Sequence, residues 1–408
     1  MRILYLSQYF PPEIGATQTR AYEMARHLVR LGHQVTMIAE IPNHPSGVTP
    51  VEYRGKLLER STLDGIDVMR VWVKASPVKT RSSRLAFYLS YMVDAFLAGV
   101  ILARGRYILV YASSPPLFVA CAGWWISRIK RIPFVMEVRD LWPAVAVSLG
   151  EISSPRTIRL AERLEKFLYR HSAGVVAVTR GFCKYIQALG VDSQKITWIP
   201  NGTDPELFNP VHGDRDLRKD LELEGRLVIL YAGLLGIAQG LESVLETARL
   251  TLGQPDIMYI FIGEGPNKVK LTERKKRENL DNVIFLPEVP REDIISYLNM
   301  ADILLVPLKN DPIFEAFVPS KLYDFMACGK PVLLSVPGEA REILEEAEGG
   351  LYVPPENPEA LKEAILKLYK DPDLRLRYGA NGRRYMLSHY SRSEQALQLE
   401  EFLRSLTR

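Results

Sequence analysis

The side chains whose types and spacing could do chemistry gather just beyond apolar runs. Asp140, with Arg139 before it and Trp142 after it, follows the run Phe134–Val138. A carboxylate there could orient or deprotonate a hydroxyl, or pair only with Arg139, while an indole face can stack on a sugar ring. Lys321 and Asp324 lie three apart behind Pro319. That spacing puts them on nearly one face of a helix running to about Cys328 and stopping at Gly329. A lysine in a first turn opposes the helix dipole and so calls for an anion or a carboxylate beside it. Asp324 could accept hydrogen bonds from ribose hydroxyls, or the two residues could form a surface salt bridge. Gly15 and Ala16 open a helix after Ile3–Leu6. Close backbone approach at such a start suits a phosphate or a sugar oxygen, although a plain strand–helix connection looks the same. Tyr231–Gly236 with Gly240, and Phe261–Pro266, end two further runs. On neighbouring strand ends, the two loops could reach one nucleoside diphosphate. No G-x-G-x-x-G fingerprint is present.

Other chemistries are excluded or demoted. Cys121, Cys183 and Cys328 form no Cys-x-x-Cys and have no histidine cluster, which argues against a disulfide framework and a structural zinc site. No metal site is expected, because Asp371 and Asp373 fall in a polar turn between helices and not at a strand end. His33 and His171 read as structural turn residues. The basic run Arg274–Arg277 reads as a solvated helix face, and no nucleic-acid partner is expected.

These groups need elements to hold them. Short apolar runs alternate with helix-length amphipathic segments along all 408 residues, which indicates parallel sheets covered on both faces. The runs are Ile3–Leu6, Val35–Ala39, Ile108–Tyr111, Phe134–Val138, Val175–Val178 and Ile196–Ile199, then Val228–Tyr231, Tyr259–Ile262, Val283–Leu286, Ile303–Val306 and Val332–Ser335. A hairpin about Asp64-Gly65 is inserted in the first half. One sheet of so many strands is improbable, and turn residues cluster at Pro200–Pro205. The expected architecture is α/β: a Rossmann-like domain over 1–200, a second over 201–390, a cleft between them, and a terminal helix over 391–408 packing back on the first domain.

Charge divides at the same place. The total of 52 Lys and Arg against 48 Asp and Glu is nearly neutral, but residues 1–200 carry 26 against 14 and residues 201–408 carry 26 against 34. A basic first half could face anionic lipid or phosphate. Ile3–Leu6 is too short for the roughly 7–15 apolar residues of a signal peptide, so a cytoplasmic location is expected. The nineteen mostly apolar residues between Arg84 and Arg104 could be a buried core helix, an interfacial helix with Arg81 and Arg84 at one end, or a membrane span.

With these motifs in order, the whole chain resembles the retaining, nucleotide-sugar-dependent glycosyltransferases of family 4, which have the GT-B fold. The resemblance rests on Pro11-Pro12-Glu13-Ile14-Gly15, Leu31-Gly32-His33-Gln34-Val35, Ile199–Asp204 and Pro319–Pro331. Arg139–Pro143 further resembles a bacterial branch that includes N-acetylfucosamine transferases of surface-polysaccharide and lipopolysaccharide assembly. The resemblance implies a UDP-sugar donor bound in the second domain by Gly233, Gly263, Glu264, Ser320, Lys321, Leu322 and Asp324, with Gly15 approaching the donor from the first. It implies a lipid-diphosphate-linked saccharide acceptor held near Arg139 and Trp142, with Asp140 and Glu315 as catalytic candidates. With no Asp-x-Asp at a strand end, no cofactor or metal is expected, and the basic first half with Arg81, Arg84 and the apolar helix after them suggests a peripheral position on the inner face of the cell membrane. Two departures stand out. Eight residues, not the family's seven, separate Glu315 from Asp324, leaving Ala316 at the strict position. Leu234 and Gln239 stand where many members place Arg and Lys, and Lys321 is the favoured substitute. The rival readings are a nucleotide-sugar 2-epimerase of the same architecture and a non-catalytic nucleotide-sugar sensor.

Overall fold

The structure, a computed structural model, describes residues 1–78, 80–210 and 217–407. The chain forms two compact units, one of Met1–Pro200 with Arg392–Arg408 and one of Asn201–Ser391.

The first unit runs β1 (Arg2–Leu6), α1 (Ala16–Arg30), β2 (Gln34–Glu40), β3 (Leu58–Leu63), β4 (Ile66–Val71), α2 (Arg81–Leu97), β5 (Leu109–Ser114), α3 (Leu117–Lys130), β6 (Phe134–Val138), α4 (Ala144–Ser148), α5 (Pro155–His171), β7 (Gly174–Ala177), α6 (Arg180–Ala188) and β8 (Ile196–Trp198). The strand order is β3-β4-β2-β1-β5-β6-β7-β8, parallel throughout except for the β3–β4 hairpin at the edge. The central strands are fully buried, as continuous apolar runs require when helices cover both faces. Register sets Leu6 beside Ala112 and Ser114 beside Val138. The loops after β1, β5 and β6 therefore leave one end of the sheet side by side.

The second unit runs α7 (Leu217–Asp220), β9 (Leu227–Ala232), α8 (Leu241–Leu250), β10 (Ile257–Ile262), α9 (Lys268–Arg277), β11 (Val283–Leu286), α10 (Arg291–Met300), β12 (Ile303–Pro307), α11 (Ser320–Ala327), β13 (Val332–Ser335), α12 (Glu339–Glu346), β14 (Gly350–Tyr352), α13 (Pro358–Lys370) and α14 (Pro372–His389). Its sheet is wholly parallel, in the order β11-β10-β9-β12-β13-β14. Both units are Rossmann-like. Strand β14 is absent from the sequence reading because it is three residues long, half-buried, and opens with a glycine instead of an apolar run.

Helix α15 (Arg392–Ser405) returns to the first unit. There Glu400 accepts from the His33 ring at 2.8 Å, and Ala396, Leu399 and Leu403 complete the first core. His33 also bonds the N-terminal amine through Nδ1, the structural role expected of it.

The helix reading of Arg84–Arg104 is upheld, but a core location is not. Of α2 only Tyr91 and Ala95 are buried, and the segment continues as a π-helix over Ala98–Leu102. Its leucines point to solvent, because α3 and β2 cover one side of it and nothing described covers the other.

Candidate active site

In the first unit the ends of β1, β5 and β6 enclose a charged centre. Glu137 is the penultimate residue of the otherwise apolar strand β6 and is fully buried. Arg20 of α1 donates to its Oε1 at 2.8 Å, Tyr111 donates to the same oxygen at 2.8 Å, and Ser113 donates to Oε2 at 2.6 Å. Burial pushes the Glu137 carboxyl up, but Arg20, Arg139 and these hydrogen bonds outweigh it and hold the group below its ordinary range. Arg20 also donates to the carbonyls of Pro200 and Ile199, at 2.8 and 3.0 Å, and so fastens the end of the domain.

The predicted acceptor residues lie on the rim of this centre. Arg139 donates to Thr17 Oγ1 at 3.0 Å, tying the loop after β6 to the first turn of α1, and its Nε lies 3.9 Å from Glu137. Asp140 does not make an ion pair with Arg139 within 4 Å. Its Oδ1 is enclosed and has no hydrogen-bond partner among the described residues. Burial pushes this carboxyl up to about 6, against the pull of Arg139 and the Leu141 amide. The Trp142 amide donates to the Asp140 carbonyl at 3.1 Å, making a tight turn, and its indole is half-buried. Gly15 caps α1, and Gln18 folds back over it, with Oε1 2.6 Å from where a Cβ would stand.

A second acidic group here escaped the sequence reading. Glu13 Oε1 accepts from the amides of Asn43 and His44, both at 2.7 Å. Glu40 accepts from Gln8 at 2.7 Å and from Asn43 Nδ2 at 2.8 Å. Burial pushes Glu13 up to about 7; it raises Glu40 well above its usual range, and the nearby charge of Glu13 adds to that rise. Glu13 lay within a quoted motif, but nothing in the spacing announced its partners thirty residues on.

In the second unit the two glycine-bearing loops meet. The Gly233 amide donates to the Ile262 carbonyl at 2.9 Å, and the Leu235 amide to the Glu264 carbonyl at 2.8 Å. A Cβ on Gly263 would stand 2.0 Å from the Gly233 carbonyl oxygen, and φ there is +142°, so only glycine lets the loops close this tightly. Lys268, at the start of α9, bridges outward to the Glu264 carboxylate at 2.5 Å and to the Leu286 carbonyl at 3.3 Å.

Lys321, in the first turn of α11, reaches under this junction. Its Nζ donates to the Ala232 carbonyl at 2.9 Å, lies 3.9 Å from the centre of the Tyr231 ring, and is 2.7 Å from where a Cβ of Gly233 would be. Tyr231 is held by its own hydroxyl, which donates to the Leu234 carbonyl at 2.6 Å. No carboxylate lies within 4 Å of the ammonium among the described residues. The Lys321–Asp324 salt bridge does not form. Burial pulls the ammonium down to about 7. A cation held by one carbonyl and a ring face, beneath a glycine loop, is arranged to meet an anion.

The other predicted residues divide. Ser320 and Asp324 are half-buried on α11, and Glu264 is exposed at the loop tip. Glu315 lies on a short 3-10 turn, Pro312–Ala316, with its side chain exposed and its carboxyl unbonded among the described residues. Leu322 does not offer a contact to a ligand: its side chain is fully buried and its amide donates to the Pro319 carbonyl at 2.9 Å. It anchors the helix start. Gln239 folds its amide toward Gly236, and Leu234 is exposed, so neither replaces a missing cation. Asp371 caps α14 through the Leu374 amide at 2.9 Å, as expected of a turn residue.

Comparison with known proteins agrees with this layout. Residues 15–202 match the model of the glycosyl transferase 4-like domain, and residues 214–385 match that of glycosyl transferases group 1. The chain is 25% identical over 375 residues to a protein of Escherichia coli provisionally named as the colanic acid biosynthesis glycosyl transferase WcaI, covering 90% of this chain and 91% of the relative. Sucrose-phosphate synthase from Thermosynechococcus elongatus superposes with a TM-score of 0.79 at 20% identity, over 99% of this chain and 98% of that one. HepE of Anabaena, solved in complex with UDP-glucose, superposes with a TM-score of 0.74 at 19% identity, over 99% of this chain and 100% of that one.

Proposed function

The chain carries a glycosyl transferase 4-like domain followed by a glycosyl transferases group 1 domain in a GT-B fold, and from that premise we propose that the protein moves a sugar from a UDP-linked donor to a lipid-diphosphate-linked saccharide during surface-polysaccharide synthesis, with retention of configuration. The observation that carries the donor reading is Lys321, an ammonium without a carboxylate partner set under the junction of two glycine loops. The donor's diphosphate lies against Gly233 and Gly263, and Lys321 supplies the positive charge that Leu234 and Gln239 do not. The HepE complex with UDP-glucose supports the choice of nucleotide, and the colanic acid relative supports the choice of pathway class.

In the transfer, the bond between the anomeric carbon and the diphosphate oxygen breaks while the acceptor hydroxyl oxygen bonds to the same face of that carbon. The negative charge that develops on the departing diphosphate is met by Lys321 and backbone amides, so the proposed chemistry needs no metal. The acceptor's proton passes to the leaving phosphate. Asp140, with one enclosed and unbonded oxygen, orients the hydroxyl, while Trp142 and Arg139 shape its approach. Asp324 binds the ribose, and Glu315 contacts the transferred sugar. The enzyme works in the cytoplasm at the inner face of the cell membrane.

A donor screen tests the reading. UDP-, GDP- and dTDP-sugars are compared by thermal shift, and products on lipid-linked acceptors are identified by mass spectrometry, with and without chelator. A preference for GDP-mannose sinks the UDP assignment, and loss of turnover in chelator sinks the metal-free one. Asp140→Asn is expected to abolish transfer with donor binding intact; normal turnover in that variant removes Asp140 from the mechanism.

A further inference from the structure

Helix α2 with its π-helical continuation, Arg81–Leu102, is long and apolar enough to cross a membrane, and less than a quarter of its most apolar stretch is buried. One side is fastened to the domain along its length. Tyr88 stacks on Phe118, Tyr91 donates to the Ile38 carbonyl at 2.8 Å, and a Cβ on Gly99 would stand 2.4 Å from Ile126. Lys130 at the end of α3 donates to the Ala103 carbonyl at 3.0 Å. These contacts set α2 and α3 side by side, running the same way, and keep α2 on the domain surface.

The other side is a single stripe. Leu85, Leu89, Val93, Leu97 and Ile101 recur every four residues, and each is more than a third exposed. On α3, Trp125 and Ile129 are exposed with the same spacing, and they flank Ile126, the residue that meets Gly99. The stripe therefore widens into an aliphatic and indole patch at the carboxyl ends of both helices.

Charge borders the wide end. Arg104, Arg106, Arg128 and Arg131 are all exposed, and none has a carboxylate within 4 Å among the described residues. At the narrow end, Arg84 is taken up by Glu151 at 3.1 Å. Arg81 is exposed there as well, so most, though not all, of the cations open to an anionic surface lie at the opposite end from Arg81 and Arg84, the pair that the sequence pointed to. Arginines at a helix end complement its dipole, but that role does not require an exposed tryptophan and isoleucine among them. A second copy of the chain docked on this face would set the arginines against their own kind.

We propose that this face docks on an anionic phospholipid bilayer, with α2 lying in the interface plane. Leu97, Ile101, Trp125 and Ile129 enter the acyl boundary, and the four arginines sit among the headgroup phosphates. The proposal rests on the surface alone, so it stands or falls separately from the donor and acceptor assigned above.

Sedimentation of the full chain with vesicles tests it. Equal parts phosphatidylglycerol and phosphatidylethanolamine are compared with phosphatidylcholine alone. Binding is expected on the anionic vesicles only and is expected to weaken as salt rises. Leu97→Glu with Ile101→Glu, and separately Arg104→Glu, Arg106→Glu and Arg128→Glu together, are each expected to weaken it by about tenfold or more. Both variants should keep the wild-type melting temperature and the wild-type turnover of a water-soluble acceptor. Equal binding to both vesicle types, or undiminished binding by either variant, overturns the proposal. So does a dimer in analytical ultracentrifugation that Leu97→Glu dissolves while vesicle binding survives, which would assign the face to a second copy. Resistance to carbonate extraction overturns it in favour of a spanning helix.

Discussion

The two units place a cation at the carboxyl ends of their sheets in opposite ways. In the first, Arg20 and Glu137 meet at 2.8 Å with both side chains almost wholly buried, and Tyr111 and Ser113 also donate to the carboxylate. In the second, Lys321 has a carbonyl and an aromatic face but no carboxylate within 4 Å among the described residues. A buried charge that is compensated from within holds a fold together, whereas one left uncompensated is held for something that arrives. The same sheet end thus serves as a fastening in one domain and, on the function proposed above, as a receptor in the other.

The largest expected effect breaks the fastening. Arg20→Met leaves Glu137 buried with only the more distant Arg139 opposite it, which costs about 3–5 kcal/mol in urea unfolding. Adding Glu137→Leu should restore much of that loss, since the uncompensated charge goes with it. Recovery of nothing by the double variant would move the weight from the ion pair to the Arg20 bonds with Ile199 and Pro200.

The next variant empties the receptor. Lys321→Met should lower kcat/KM for the nucleotide-sugar by about 100- to 1,000-fold, the scale for losing one stabiliser of developing charge. Its melting temperature should not fall, because the variant removes a cation that burial disfavours. A loss of stability as large as that of Arg20→Met would make the two sites alike and end the comparison.

The smallest effect is in pH, and its sign differs between the sites. The Glu137 pKa is held low, so its contribution is present at neutral pH and is lost as pH falls through its folded value. The Lys321 pKa is pulled down to about 7, so the unfolded chain binds the extra proton above that pH, and the donor-free protein gains stability as pH rises from about 7 toward 10. Donor affinity should run the other way, falling by roughly tenfold per pH unit above 7 as the ammonium deprotonates. Calorimetric titration with UDP across this range, repeated on Lys321→Met, reads the effect. A pH-independent affinity in the wild type would take Lys321 out of the phosphate site.

Much of this was legible along the chain. Eleven apolar runs became strands within a residue or two at most ends, because strands buried on both faces must be continuously apolar whatever lies beside them. The hairpin turn at Asp64-Gly65 and the stop at Gly329 were equally local, since a left-handed backbone needs particular residues. Lys321 was singled out by its position in a first helical turn, where it opposes the dipole. Leu322 was misjudged for a related reason: motif position does not reveal which way a side chain faces.

What remained hidden shares one feature. Glu137 went unremarked inside the apolar run Phe134–Val138, because its partner lies 117 residues away on α1. The length and apolarity of α2 were plain, yet its placement stayed open, with a buried core helix favoured, until α3 was seen against one side and the leucine stripe on the other. The same holds for Lys321, whose sequence neighbours pointed to Asp324 and whose fold turned it to Gly233 instead. The sequence by itself determined the elements, the order of the loops and the residue types at their ends, because propensity, periodicity and turn chemistry are local. Only the tertiary structure decided which charges are compensated and which stand open, because the energy of a charge depends on partners and burial that distant segments supply.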